Sequence, residues 1–111
     1  MSEIENLCFE LISAAGSARS SYIEAIQAAS EGNFADALES IAQGKTEFLS
    51  GHTAHAKILS EQAKGNKDLN SMLLMHAEDL MMSAENFGII AKNDVHMYEQ
   101  FYDLKNLVES K

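Results

Sequence analysis

The feature that most constrains the fold is a run of apolar residues at three- and four-residue steps along nearly the whole chain. This spacing gathers apolar side chains on one face of an α-helix. The chain has no proline, and threonine and valine are scarce, so neither helix breakers nor strand-forming residues interrupt the pattern. The sequence therefore predicts an all-α protein.

The first predicted helix has clear signals at both of its ends. Ser2 with Glu5 three residues later is a capping-box pattern, typical of a helix start. Gly32 suits the left-handed position that ends a helix, and Asn33 suits the next N-cap. Gly16, inside the helix, predicts a kink or a close approach of another backbone. The predicted core positions of this helix are Ile4, Leu7, Cys8, Leu11, Ile12, Ala15, Ala18, Tyr22, Ala25, Ile26 and Ala29.

Two further helices follow at the same apolar spacing. Gly44 and Gly51 lie inside the second helix, where each costs up to about 1 kcal/mol relative to alanine, so tertiary packing must offset the loss. A polar connection at 64–68 separates the two helices, and the third helix is predicted to begin at 68–70. The pattern of the second helix is Phe34, Ala37, Leu38, Ile41, Phe48, Leu49, His52, Ala56, Leu59 and Ala63. The pattern of the third helix is Leu73, His76, Leu80, Phe87, Ile90, Asp94, Met97, Phe101, Leu104 and Val108.

Three helices of roughly 30–40 residues joined by short turns predict an antiparallel, up-down-up three-helix bundle. We expect residues 1–111 to form this one domain. Such a bundle leaves a second apolar stripe of the third helix uncovered, which predicts self-association. The residues expected in that stripe are Met81, Met82, Ile89 and Ile90.

The charge balance and the single cysteine limit the classes of function. The formal net charge of −9 argues against a general nucleic-acid binder, because few cations are present to neutralise phosphates. No apolar run reaches the roughly 18–20 residues of a membrane span, and residues 1–4 show no signal peptide. The lone Cys8 excludes an intrachain disulfide and is typical of a reducing compartment. We therefore expect a cytoplasmic protein without membrane insertion.

His76 and Asp79 stand three residues apart in a run of leucines and methionines. This spacing brings both side chains to one helix face, with Cβ atoms roughly 5–6 Å apart. One interpretation is a core histidine that is hydrogen-bonded to a carboxylate. The other is a functional site, since a neutral imidazole is a competent nucleophile or general base near pH 7. The residue pattern alone leaves both interpretations open.

Other candidate groups favour structural interpretations. His52 and His55 share a face of the second helix but lack a third ligand at a fitting spacing, so we expect structural or surface roles rather than a metal site. Cys8 has no basic neighbour to lower its pKa, which predicts an inert buried thiol. Arg19, the only arginine, and His96 are expected to be solvated. The methionines at helical spacing are interpreted as core residues: Met72, Met75, Met81 and Met82.

Residues 74–82 read Leu-Met-His-Ala-Glu-Asp-Leu-Met-Met. This segment resembles the signature of the lactose/cellobiose-type IIA components of the bacterial sugar phosphotransferase system, roughly His-Ala-Gln-Asp-His-Leu-Met. The resemblance covers nearly the whole chain, with matching order, spacing and length. The other segments that carry it are Phe9–Ile12, Ala15–Ser20, Glu31–Phe34, Gly51-His52 and Ile58-Leu59.

The resemblance implies a compact homotrimer that acts as a phosphocarrier, one component of a multi-component phosphotransferase. It implies that His76 accepts a phosphoryl group from the protein HPr and passes it to a cysteine of a IIB component. IIB then phosphorylates a sugar entering through the membrane component IIC, a disaccharide or related β-glycoside of the lactose/cellobiose/chitobiose class. By the same resemblance, Asp79 lies on the trimer axis, where three copies bind a divalent metal, usually Mg²⁺.

The chain departs from the family signature at two positions. Leu80 stands where the family has its second histidine, and Glu78 replaces the glutamine. The missing histidine would have supported the phosphohistidine, and Glu78 adds negative charge beside it or points to solvent. These departures favour an alternative function, a helical interaction or regulatory module with impaired phosphotransfer.

Overall fold

A computed structural model describes residues 2–65 and 72–111, and these residues form three α-helices and no strand. Helix α1 is Glu3–Ser30, α2 is Phe34–Ala63 and α3 is Met72–Glu109. The prediction of an all-α protein with three long helices is confirmed. The predicted start of the third helix at 68–70 lies outside the described residues.

The signals predicted for both ends of α1 are confirmed. The capping signal predicted for the start of α2 is confirmed only in its position. Ser2 Oγ accepts a hydrogen bond from the Glu5 N–H at 3.1 Å. Gly32 has φ +83°, and its N–H bonds to the Ala29 carbonyl, which closes a glycine-terminated helix end. Asn33 occupies the N-cap position of α2, but its side chain forms no capping hydrogen bond.

The core consists of three clusters that follow one another along the bundle. Each cluster contains residues of α1 together with residues of α2, of α3 or of both. The positions of these residues along their helices show the direction in which each helix runs. The start of α1 meets the end of α2 and the start of α3, so the helices run up, down and up, as predicted. The first cluster is Ile4, Leu7, Cys8, Leu11, Ala54, Ile58 and Ala77. The second is Ala15, Ala18, Tyr22, Ala84 and Ala91, and the third is Ala25, Ala29, Ala37, Ile41 and Val95.

Small residues allow the helices to approach closely around Tyr22, whose side chain is almost fully buried. A Cβ built on Gly44 of α2 would lie 2.6 Å from Tyr22 Cε1, and one built on Gly88 of α3 would lie 3.0 Å from Tyr22 Cε2. The ring therefore occupies the space of two missing side chains. This close packing against Tyr22 is the kind of tertiary contact that the low helix propensity of Gly44 was predicted to require.

The predicted core face of α2 is partly wrong. Leu38, Leu49 and Leu59 are exposed, and the core side is instead formed by residues that include both glycines. A glycine has no side chain and so adds nothing to an apolar sequence pattern. Side chains of another helix can nevertheless pack against it, as Tyr22 does at Gly44. The buried residues of α2 are Ala37, Ile41, Gly44, Gly51, Ala54 and Ile58.

Helix α3 is apolar on two opposite faces. Its core face is made of small residues, namely Ala77, Ala84, Gly88, Ala91 and Val95. Its second apolar face, here called the outward stripe, consists of exposed side chains: Met72, Met75, Met82, Ile89, Ile90, Met97, Phe101, Leu104, Leu107 and Val108. The prediction of an uncovered stripe is confirmed. Met81 is half-buried and packs on the first cluster, so its interpretation as a core residue is confirmed and its place in the stripe is wrong. The interpretation as core residues is wrong for Met72, Met75 and Met82, which are exposed.

Within residues 2–65 and 72–111, no helix combines the length and the apolar character needed to cross a bilayer.

Candidate functional site

His76 and Asp79 lie on the second turn of α3, and both side chains are exposed. The fully buried Ala77 fixes which side of this turn faces the core. At roughly 100° per residue, Asp79 then points away from the core. The direction of His76 differs from that of Asp79 by about 60° around the helix axis. The rigid helix thus presents both groups to the exterior.

No hydrogen bond or ion pair joins His76 to Asp79 within the described part of the chain. The interpretation of a satisfied core pair is therefore wrong for this chain. Asp79 stands in the outward stripe between Met75 and Met82, which are 64% and 58% exposed. Any molecule that covered the stripe would bury this carboxylate, and a buried carboxylate needs a compensating cation or donor.

Glu78 does not face His76. Its Oε2 atom lies 2.8 Å from Nε2 of His55, so the pair connects α3 to α2. Glu78 and His76 are two residues apart, which places them on nearly opposite sides of the helix. The negative charge that replaces the family glutamine is thus held away from the candidate acceptor. The sequence left Glu78 either beside the phosphoryl group or pointing to solvent. In the structure it pairs with His55 and its side chain remains 43% exposed.

An open groove of about 480 Å³ between α2 and α3 contains the His55–Glu78 pair. His52 and Met82 also line it, which places His52 on the surface, as predicted. The described residues contain no group of three histidine, cysteine, aspartate or glutamate side chains able to hold a metal ion within one chain. His55 is thus paired with Glu78, and His52 is exposed at the groove.

Leu80 lies one turn after His76 and is half-buried against the second core cluster. The side chain that replaces the family's second histidine thus contributes to packing between α1 and α3.

Arg19 also lies on the side of the bundle where α1 meets α3, with its guanidinium carbon 4.9 Å from the centre of the Phe87 ring. Arg19 is exposed, so its charge stays in solvent.

Cys8 is fully buried in the first cluster. Burial raises the pKa of its thiol above the ordinary value, and the carboxylates of Glu78 and Glu5 raise it further. A thiol with a raised pKa and no access to solvent is a poor nucleophile. The predicted burial of Cys8 is confirmed, and its low reactivity stays a prediction.

The fold and the site define a small three-helix protein that carries its candidate groups on the outer surface of its longest helix. The sequence model of the family described as "PTS system, Lactose/Cellobiose specific IIA subunit" matches residues 6–99. The chain belongs to this family and is a IIA component of the sugar phosphotransferase system.

Individual relatives agree with the family assignment. The chain is 32% identical over 98 residues to the "PTS system lactose-specific EIIA component" of Staphylococcus aureus (strain N315), covering 88% of this chain and 95% of the relative. It is 30% identical to the "Lichenan-specific phosphotransferase enzyme IIA component" of Bacillus subtilis (strain 168), covering 88% and 89%. The crystal structure of the PTS cellobiose-specific enzyme IIA from Bacillus anthracis is similar, with a TM-score of 0.88, 31% identity and coverage of 93% and 94%.

Proposed function

We propose that the protein is a phosphocarrier in which His76 accepts a phosphoryl group from phospho-HPr and delivers it to a cysteine of a IIB component. In the first step, the bond between phosphorus and the donor atom of HPr breaks, and a bond forms between phosphorus and an unprotonated ring nitrogen of His76. In the second step, this bond breaks as the sulfur of the IIB cysteine takes the phosphoryl group. The sugar is of the lactose/cellobiose/chitobiose class, taken up through IIC.

The exposure of His76 is the observation that carries this proposal. A carrier must present its acceptor to two protein partners in turn, so the imidazole has to lie outside the bundle. His76 is exposed on a continuous helix and forms no hydrogen bond within the described residues that would occupy its ring nitrogens. Phosphoryl transfer depends mainly on positioning and electrostatics, so one fixed nucleophile is sufficient protein machinery.

We further propose that three copies of the chain assemble around α3. The outward stripe supports this proposal, because it runs from Met72 to Val108 with side chains 45–83% exposed. So many exposed apolar side chains on one helix face are typical of an interaction site. Packing three stripes around one axis would bury them and leave each His76 at the flank of its own α3.

In that assembly, Asp79 would hold a divalent cation, and we propose Mg²⁺. One chain supplies a single carboxylate here, so the donor set is completed only by copies of Asp79. Carboxylates brought together in an apolar interior repel one another, and a cation relieves this repulsion. Mg²⁺ suits the site because it prefers carboxylate oxygens and retains several waters. The ion would supply charge compensation and a link between subunits.

The test is transfer of labelled phosphate from HPr. We expect the wild-type protein to become labelled and His76→Ala to remain unlabelled. His52→Ala is the matched control, since it removes another exposed imidazole and should leave labelling unchanged.

An unlabelled wild type, with an HPr that labels an active IIA protein in parallel, would contradict the proposal. That result would favour the regulatory module with impaired transfer, the function to which Leu80 points. Labelling of His76→Ala would show that another residue is the acceptor.

A further inference from the structure

A second open groove between α2 and α3, of about 330 Å³, is lined by residues that the proposed phosphocarrier chemistry does not use. Its volume lies in the range of small-molecule sites, roughly 300–1,000 Å³. Of the residues that line it, only Ile89 also belongs to the outward stripe. We call it the lysine groove, and its lining includes Tyr22, Lys45, Phe48, Leu49, Ile89 and Lys92.

The hydroxyl of Tyr22 is an unused hydrogen-bond donor at this groove. Tyr22 is only 4% exposed, yet its hydroxyl forms no hydrogen bond within residues 2–65 and 72–111. A buried tyrosine hydroxyl usually has a partner. The oxygen is not sealed inside the bundle, because these residues contain no fully enclosed side-chain polar atom that lacks a partner. Since Tyr22 lines the lysine groove, its hydroxyl can donate to a molecule bound there.

The two ends of the lysine groove differ in character. The Tyr22 ring lies between Gly44 and Gly88, so these positions of α2 and α3 are level with each other. Lys92 is about one turn beyond Gly88 along α3. Phe48 is about one turn beyond Gly44 along α2, which is the opposite direction because the two helices are antiparallel. One end of the groove therefore carries an ammonium group, and the other is lined by an aromatic ring.

Lys45 and Lys92 are two free cations at the groove of an acidic chain. The sequence has 8 lysines and arginines against 17 aspartates and glutamates. Both lysines are exposed, and neither forms an ion pair within the described part of the chain. Among the described residues of the lining, Glu85 is the one acid, and it lies roughly 10 Å before Lys92 along the axis of α3. The lysine end is therefore suited to an anion.

We propose that the lysine groove binds a small amphipathic anion, namely a compact apolar body with one carboxylate, the class to which medium-chain fatty acids belong. The carboxylate lies between the ammonium groups of Lys45 and Lys92 and accepts a hydrogen bond from the Tyr22 hydroxyl. The apolar body covers Phe48 and Leu49, which is 63% exposed without it. Burial raises the pKa of Tyr22, so its hydroxyl stays protonated and able to donate at neutral pH.

The experiment titrates octanoate into the full chain, labelled with ¹⁵N, and follows the backbone amide shifts by NMR. We expect saturable shifts that are largest at Gly44, Leu49 and Gly88. Octylammonium has the same apolar chain with the opposite charge, and the net charge of −9 would favour it if binding were unspecific. We expect octanoate to bind at least about five-fold more tightly. Equal or tighter binding of octylammonium, or shifts centred on the outward stripe, would overturn the proposal.

Variants of the full chain test the head-group contacts. Tyr22→Phe keeps the ring and should weaken octanoate binding about ten-fold, because a hydrogen bond to a charged group is lost. Lys45→Gln with Lys92→Gln should weaken it about three- to ten-fold. The matched control, Lys57→Gln with Lys111→Gln, removes the same charge from exposed positions elsewhere and should stay within about two-fold of wild type. Unchanged affinity in Tyr22→Phe or in the first lysine pair would overturn the proposal.

The other candidate occupant of the groove is a second copy of the chain. If octanoate causes no shifts, the proposal is refuted, and altered sedimentation of Lys45→Gln with Lys92→Gln would then assign the groove to a contact between copies. The inference does not rest on phosphocarrier activity. Labelling of His76 by HPr is a separate readout, and we expect it to persist in every variant named for this groove.

Discussion

Replacing Gly44 by alanine tests the packing that sets the distance between the helices. The added Cβ would lie 2.6 Å from Cε1 and 2.8 Å from Cδ1 of Tyr22. Atoms do not approach this closely, so either the ring or α2 must move. The ring has little freedom, because on its other side a Cβ at Gly88 would already be 3.0 Å from Cε2 and Cζ. Gly44→Ala therefore forces strain into a clamped aromatic ring.

Two opposing terms set the size of the effect. Alanine gains up to about 1 kcal/mol of helix propensity over glycine. Overpacking of a buried site costs about 1–3 kcal/mol, and the clamped ring favours the upper part of that range. We expect a net destabilisation of roughly 1–2 kcal/mol. For a chain of this length, this corresponds to a fall of roughly 4–16 °C in Tm.

The assay is urea unfolding followed by far-UV circular dichroism at one fixed protein concentration, because self-association would add to the apparent stability. Gly16→Ala is the matched control, since a Cβ at Gly16 meets nothing within 4 Å. This control should be stabilised by up to about 1 kcal/mol. If Gly44→Ala is as stable as Gly16→Ala, the argument from the Tyr22 contacts is refuted.

Three further predictions follow from the same structure. Cys8 should react with a thiol reagent far more slowly in the native protein than in urea, because burial raises its pKa and blocks access; equal rates would contradict this. Burial, and to a smaller extent the Glu47 carboxylate, raise the pKa of the Tyr22 hydroxyl. The unfolded chain therefore loses the hydroxyl proton at a lower pH than the folded chain, and the free energy of unfolding should fall as pH rises above about 10. In urea unfolding at pH 8 and 11, Tyr22→Phe should show a smaller fall than wild type, and an equal fall would count against the assignment. Added Mg²⁺ should strengthen self-association of wild type in sedimentation but leave Asp79→Asn unaffected; an equal response would exclude Asp79 as the ligand.

The ends of α1 were predictable because their signals are local. Ser2 and Gly32 act through hydrogen bonds to residues within a few positions, so their roles can be inferred from neighbouring residues. The core face of α2 was not predictable in the same way. Gly44 and Gly51 form part of that face, and their role depends on side chains of α1 that are distant in sequence.

The faces of α3 were ambiguous for a different reason. Its core side is built from alanine, glycine and valine, whereas its largest apolar residues are exposed. The apolar spacing predicted for the third helix therefore included Met97 and Phe101, which are exposed. The clue to the correct arrangement was the excess of apolar positions over those that one face can hold, which also predicted self-association.

The candidate site was found in part. His76 and Asp79 were recognised by their spacing and by the family signature, and both are exposed on one helix. The contact between His55 and Glu78 was missed, because it depends on how α2 and α3 align across the bundle. Nothing local in the sequence encodes that alignment. The sequence therefore showed that Glu78 departs from the family signature, but it did not predict which residue Glu78 contacts.

The most direct test of the proposed function is to locate the phosphoryl group after incubation with phospho-HPr. The phosphorylated protein would be digested at neutral to alkaline pH, and its peptides sequenced by mass spectrometry. We predict one phosphoryl group per chain, attached to His76. A phosphoryl group on His52, His55 or His96, or none on any peptide, would contradict the account.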